Sequence, residues 1–136
     1  MPPEQVEPGS PADWLHHAKS DLAIAKQGHI PGILLETLSF HAQQAVEKSI
    51  KAVLLAKGIV FPYTHSISAL ITLVKESGIP WPGELDEAAG LTEYAVETRY
   101  PGPYADVTEE EYCDAVRIAE RVISWAEHEV SAQDHH

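Results

Sequence analysis

LLETLSFHAQQAVEKSIKAVLLAKG, residues 34–58, is the stretch whose reading decides the fold. Leu34, Leu38, Ala42, Ala45, Ile50 and Val53 recur close to every three or four residues, which places them on one face of an α-helix and fits no strand. Pro31 precedes the pattern and Gly58 supplies a C-terminal stop, so the stretch reads as the longest helix of the chain. Such an apolar face needs covering on several sides, and the helix is predicted to sit at the centre of the core.

Working outward, Ser10 is placed as an N-cap, Pro11 at the first helical position and Asp13 near the positive end of the dipole. Trp14, Leu15, Ala18, Leu22 and Ala25 then form a stripe that Gly28 ends. On the other side of the central helix, Phe61 and Pro62 make a connection. Thr64 or Ser66 caps a third helix carrying Ile67, Leu70, Ile71 and Val74, closed by Gly78 and Pro80. A fourth segment runs after Pro82 through Leu85, Ala88, Ala89 and Leu91 to Val96, although Gly90 costs it ~1 kcal/mol relative to Ala. Two prolines and a glycine make residues 99–104, Arg-Tyr-Pro-Gly-Pro-Tyr, a loop. Thr108 with Glu111 is a capping box opening the last helix, whose buried face is Ala115, Ile118, Ala119, Val122 and Trp125. No alternating pattern long enough for a strand occurs and no repeat is evident. The expected architecture is an all-α, up-and-down four/five-helix bundle over residues 10–130, with a Pro- and Glu-rich arm at 1–9 and a frayed tail at 131–136.

Composition narrows the function. At 136 residues, 44% of them hydrophobic and 22% charged, the chain suits one globular core. Its apolar runs are broken by charged residues well before they could cross a lipid core, so no membrane is expected. Glu4 and Glu7 stand where a signal peptide needs basic residues, and Cys113 is the only cysteine, which excludes an intrachain disulfide and a thiolate cluster holding zinc or iron–sulfur. A cytoplasmic location is expected. Nine Lys and Arg against 21 Asp and Glu give a net charge of -12, which repels a polyanion. Strong non-specific DNA binding is not expected, and because only Lys48, Lys51 and Lys57 cluster, any RNA contact must be local or completed by a second subunit.

Gln44-Ala45-Val46-Glu47-Lys48-Ser49-Ile50-Lys51-Ala52-Val53-Leu54 resembles the HEPN family of small helical domains. Four further features agree in order: Ala18 to Leu22 in the first helix, His65 before the third, Arg99-Tyr100-Pro101 in the loop, and Ala115 to Trp125 in the last helix. The resemblance covers about Trp14 to Trp125. It implies a bundle of four or five helices that usually forms a homodimer. It also implies a frequent association with a minimal nucleotidyltransferase, and membership of toxin–antitoxin-like or RNA-targeting systems. Many members are ribonucleases that use an Arg and, after a short gap, a His at the dimer interface.

Here Arg99 is present, but Tyr104 stands where the shortest spacing would put the His. A histidine near pKa ~6.5 can share the proton of a ribose hydroxyl around neutrality, whereas a tyrosine near ~10 is a poor base. The Arg99 guanidinium can still hold a phosphate, or merely pin the loop through Glu97, Asp106 or backbone carbonyls. Gln44, Lys48 and Lys51 share a helix face beside Glu47 and suit a nucleotide or an acidic partner, or else are a solvated outer face. His41 and His65 are read as buried or interfacial hydrogen-bonders. Arg121 and His128 repeat the Arg–His spacing, but toward the end of the last helix, where an exposed face is the simpler account. Asp13 and His16 offer one isolated metal-type spacing, no glycine-rich phosphate loop or nucleophile elbow occurs, and Cys113 is read as a small core thiol. Neither a metal nor a cofactor is expected. The nucleotide- or partner-binding candidates are Gln44, Lys48, Lys51, His65, Arg99, Tyr100 and Tyr104. The leading function is a nucleotide/RNA-recognition and interaction module acting with a nucleotidyltransferase. The alternatives are a metal-independent ribonuclease toxin using Arg99 at a dimer interface, with Tyr104 or a histidine from the partner protomer as the base, and a purely structural dimerisation domain.

Overall fold

The computed structural model describes residues 6–97 and 106–134. Five α-helices carry the fold among these residues: α1 over Pro11–Ala25, α2 over Leu35–Ala56, α3 over Ile67–Glu76, α4 over Thr92–Glu97 and α5 over Glu109–Asp134, with a 3-10 helix at Gly83–Leu91 between α3 and α4. No strand occurs among the described residues, and the all-α bundle follows.

Local chemistry sets the helix starts. The Ser10 hydroxyl accepts the Asp13 N–H at 3.1 Å, while the Asp13 carboxylate reaches back to the Gly9 N–H at 2.9 Å. Ser66 caps α3 by accepting from Ala69 N–H at 3.2 Å. At α5 the capping box is reciprocal: Thr108 N–H donates to Glu111 at 2.9 Å and Glu111 N–H to the Thr108 hydroxyl at 3.1 Å. Gly58, at φ 74°, supplies the left-handed turn that ends α2.

α2 packs against α1, α5, α3, α4 and the 3-10 helix, as its apolar period predicts. Leu38, Val46, Ile50, Val53 and Leu54 are fully buried along it, each worth roughly 1.5–3 kcal/mol of removed apolar surface. Polar contacts fix the helix directions. Glu36 accepts the Val107 N–H at 2.9 Å, and Lys57 pairs with Glu129 at 3.6 Å at the other end. The two spans between these contacts correspond to about 32 Å of helix each, so α2 and α5 run parallel. α1 is antiparallel to both, because Lys19 pairs with Glu127 and Lys26 with Glu120. The end of α1 is sealed by Tyr112, whose buried hydroxyl donates to Ala25 O and accepts the Gly28 N–H at 3.1 Å.

Several expectations are corrected. Leu34 is the uncapped residue before α2 and 65% exposed, so it does not belong to the core stripe. The fourth segment begins as 3-10 because its buried side chains, Leu85, Ala88 and Leu91, recur every three residues, a spacing that a three-residue turn aligns on one side. Cys113 is exposed, since the buried stripe of α5 runs through Tyr112, Ala115, Ala119 and Val122 and leaves position 113 outside it. α5 runs on to Asp134, into the segment 131–136 expected as a tail.

Candidate functional site

The middle of α2 carries polar side chains at positions where only apolar ones would be simple to bury. Gln43, Glu47 and Lys51 stand four apart in one row and are all buried; His41, Gln44 and Lys48 form a neighbouring row that is half-buried. Burial of such groups is tolerable only when each finds partners.

The outer row is anchored by α1. Asp21 falls in the buried register of that helix, between Ala18 and Ala25, and its side chain is 11% exposed. One carboxylate oxygen lies 2.9 Å from His41 Nδ1 and the other accepts from Lys48 Nζ at 2.7 Å. The inner row converges on Glu47. Its Oε1 accepts from Gln43 at 2.9 Å and lies 3.0 Å from His65 Nδ1, and its Oε2 accepts from Lys51 Nζ at 3.0 Å. Gln44 donates in turn to Gln43 at 2.7 Å, tying the two rows together. The Lys51 ammonium also lies 5.9 Å from the Trp14 ring centroid and 5.7 Å from that of Phe61, two rings set edge to face. Beside it, Gly9, Asp13, Trp14, His17 and Lys48 line a concavity of about 250 Å³.

Both carboxylates therefore have the same arrangement, with an imidazole on one oxygen and an ammonium on the other. Lys48 and Lys51 are charge-compensated and are not free cations, and the burial of Lys51 corrects the alternative of a solvated outer face at that position. The physical reason is that Asp21 and Glu47 would otherwise be buried without partners. His41 and His65 are hydrogen-bonders, as their positions suggested. His65 is the more accessible, with 44% of its side chain exposed against 26% for His41.

Arg99, Tyr100 and Tyr104 lie outside the described residues. The chain on either side of them is anchored on α2, by the packing of α4 and by the Glu36–Val107 bond. Arg121 and His128 are exposed on the outer side of α5. Asp13 meets His17 at 3.5 Å and not His16, and no group of three or more His, Cys, Asp or Glu side chains converges among the described residues. Sequence reasoning missed Asp21, Trp14 and Tyr63 as parts of this region. Asp21 had a signal: an acid in the apolar register of an amphipathic helix demands a partner from another element.

Comparison with known proteins covers most of the chain. A sequence model described as HEPN domain matches residues 11–129. "Putative toxin MJ1304" of Methanocaldococcus jannaschii is 31% identical over 130 residues, covering 81% of this chain and 81% of that protein. The crystal structure of TT1696 from Thermus thermophilus superposes with a TM-score of 0.73 at 30% identity, over 88% of this chain and 97% of that one. That of ST0689, an archaeal HEPN homologue, gives 0.70 at 26% identity, over 89% and 98%.

Proposed function

The chain belongs to the HEPN domain family, and on that premise we propose that it is a nucleotide- or RNA-recognition and interaction module of a toxin–antitoxin-like system, acting as a homodimer with a separate nucleotidyltransferase. The likeness to the protein named "Putative toxin MJ1304" supports the biological setting. The observation that carries the molecular reading is the polar face of α2 and the loop beside it, where Gln44 and His41 on the helix and His65 in the loop offer hydrogen-bonding groups while both lysines are neutralised by carboxylates. A protein of net charge -12 with its central lysines already paired cannot bind a polyanion mainly by displacing counterions. Recognition here works by local hydrogen bonds, and the binding of RNA is expected to depend only weakly on salt.

The test has two arms. Co-purification with a minimal nucleotidyltransferase and fluorescence anisotropy with a single-stranded RNA measure partner and ligand; no complex and no binding at high protein concentration remove the reading. Incubation with cellular RNA in chelator separates it from the ribonuclease alternative. RNA that stays intact supports a binding module, and cleavage abolished by Arg99→Ala establishes an enzyme instead.

A further inference from the structure

Taking that reading as its basis, we infer that Glu47, His65 and Tyr63 form a subsite for one ribonucleotide of single-stranded RNA, with the base on Tyr63 and the ribose 2′-hydroxyl donating to His65 Nε2.

The argument starts from Glu47. This buried carboxylate accepts from Gln43 on one oxygen and from Lys51 on the other, and paired with that ammonium it offers a third partner an acceptor. His65 Nδ1, 3.0 Å away, must therefore carry its hydrogen toward Glu47. In the neutral ring the other nitrogen, Nε2, is then a bare acceptor, and it has no partner among the described residues. A half-exposed acceptor of this kind suits a ligand hydroxyl or N–H; it does not suit an unprotonated phosphate oxygen.

Tyr63 supplies the second half. The residue is 96% exposed, and its ring centroid lies 6.1 Å from that of His65 at an interplanar angle of 66°. The turn that follows Tyr63 and carries His65 is pinned. Thr64 Oγ1 accepts the Ser66 N–H at 3.0 Å, Ser66 caps α3, and Thr92 Oγ1 accepts the Ile67 N–H at 3.0 Å. An open aromatic face beside a hydrogen-bond acceptor matches a ligand with a planar ring attached to a hydroxyl-bearing sugar. Within an RNA strand the 3′ and 5′ oxygens are esterified, so the 2′-hydroxyl is the ribose donor that remains, and it is also the group that separates RNA from DNA. The base must be unstacked to meet Tyr63, which selects a single strand. Glu47 is a positioning residue, acting through the orientation of His65.

The experiment measures the binding of a fluorescent oligouridylate and of the oligodeoxyuridylate of equal length to the full chain. The native protein should prefer RNA by about tenfold or more. His65→Asn keeps an amide N–H where Nδ1–H stood, so the Glu47 bond and the fold persist, while the outward acceptor is lost. Its RNA/DNA ratio should fall to near one with the DNA affinity unchanged. Tyr63→Ala should weaken both ligands alike, and circular dichroism with a thermal melt verifies folding of each variant. Equal binding of RNA and DNA by the native chain overturns this subsite but leaves the wider reading standing, as does a ratio that survives His65→Asn. Loss of nucleotidyltransferase association on Tyr63→Ala with RNA binding intact overturns it in favour of a protein contact. Absence of binding by either oligonucleotide removes the subsite, and absence of a nucleotidyltransferase complex as well removes the wider reading.

Discussion

Two carboxylates of this protein have nearly the same partners and different roles. Asp21 joins helices: it reaches from α1 to His41 and Lys48 on α2, and both partners keep some contact with water. Glu47 has its lysine on its own helix, four residues on, with only 8% of the Lys51 side chain and 5% of its own exposed, and it spends its third bond on a loop histidine that faces outward. A clamp between helices tolerates solvent, whereas a fully buried pair must be complete to exist at all. The same chemistry thus serves packing in one place and the presentation of an imidazole in the other.

The sharpest way to break the comparison is to delete each acid. Glu47→Ala leaves the Lys51 ammonium buried without its counter-charge and should cost about 3–5 kcal/mol in denaturant unfolding. Joining Lys51→Met to Glu47→Gln should recover most of that loss, because the pair and not either charge is what the interior accepts. Asp21→Ala should cost less, about 1–2 kcal/mol, since Lys48 and His41 can turn to water. Equal losses at the two sites would erase the distinction. Tyr112→Phe is the reference for a buried contact without charge. Removing its hydroxyl orphans Ala25 O and Gly28 N–H at the end of α1, and about 1 kcal/mol is expected from the same melts.

The smallest effect belongs to a surface acid. The hydrogen bond from Lys75, and then that from Trp81, hold the Asp86 carboxyl below the usual carboxylate range. A depressed folded value means that this contribution is present above the unfolded value and is lost as the pH falls through the folded one. Asp86→Asn should therefore lower the melting temperature slightly near neutrality and converge with the native protein in strong acid. A gap that persists at low pH would mean the Lys75 and Trp81 contacts act independently of the charge.

The helices were legible because their causes are local. Ser10 with Asp13, Thr108 with Glu111 and the spacing of Leu38, Ala42, Ala45 and Val53 act within one or two turns, and neighbours in sequence suffice to read them. The burial of Lys51 was not legible, because a lysine beside a glutamate four residues earlier looks the same on a solvated face as on a covered one. What distinguishes them is Trp14 and Phe61 closing over the ammonium, two rings brought from separate parts of the chain. Of the candidate residues, His65 could be suspected from the sequence, but its pairing with Glu47 depends on where the α2–α3 loop folds back.

By itself the sequence determined that this protein is a helical bundle around residues 34–58, that it carries a net charge of -12, and that it looks like a HEPN domain. The first two follow from periodicity, capping and composition and the third from a resemblance carried by residues 44–54, and a linear chain already has all of these. Only the tertiary structure decided that Asp21 and Glu47 are buried, that each holds one histidine and one lysine, and that of the two histidines His65 faces further outward. A charge's cost depends on the solvent removed around it, and that removal happens only when helices distant in sequence come together.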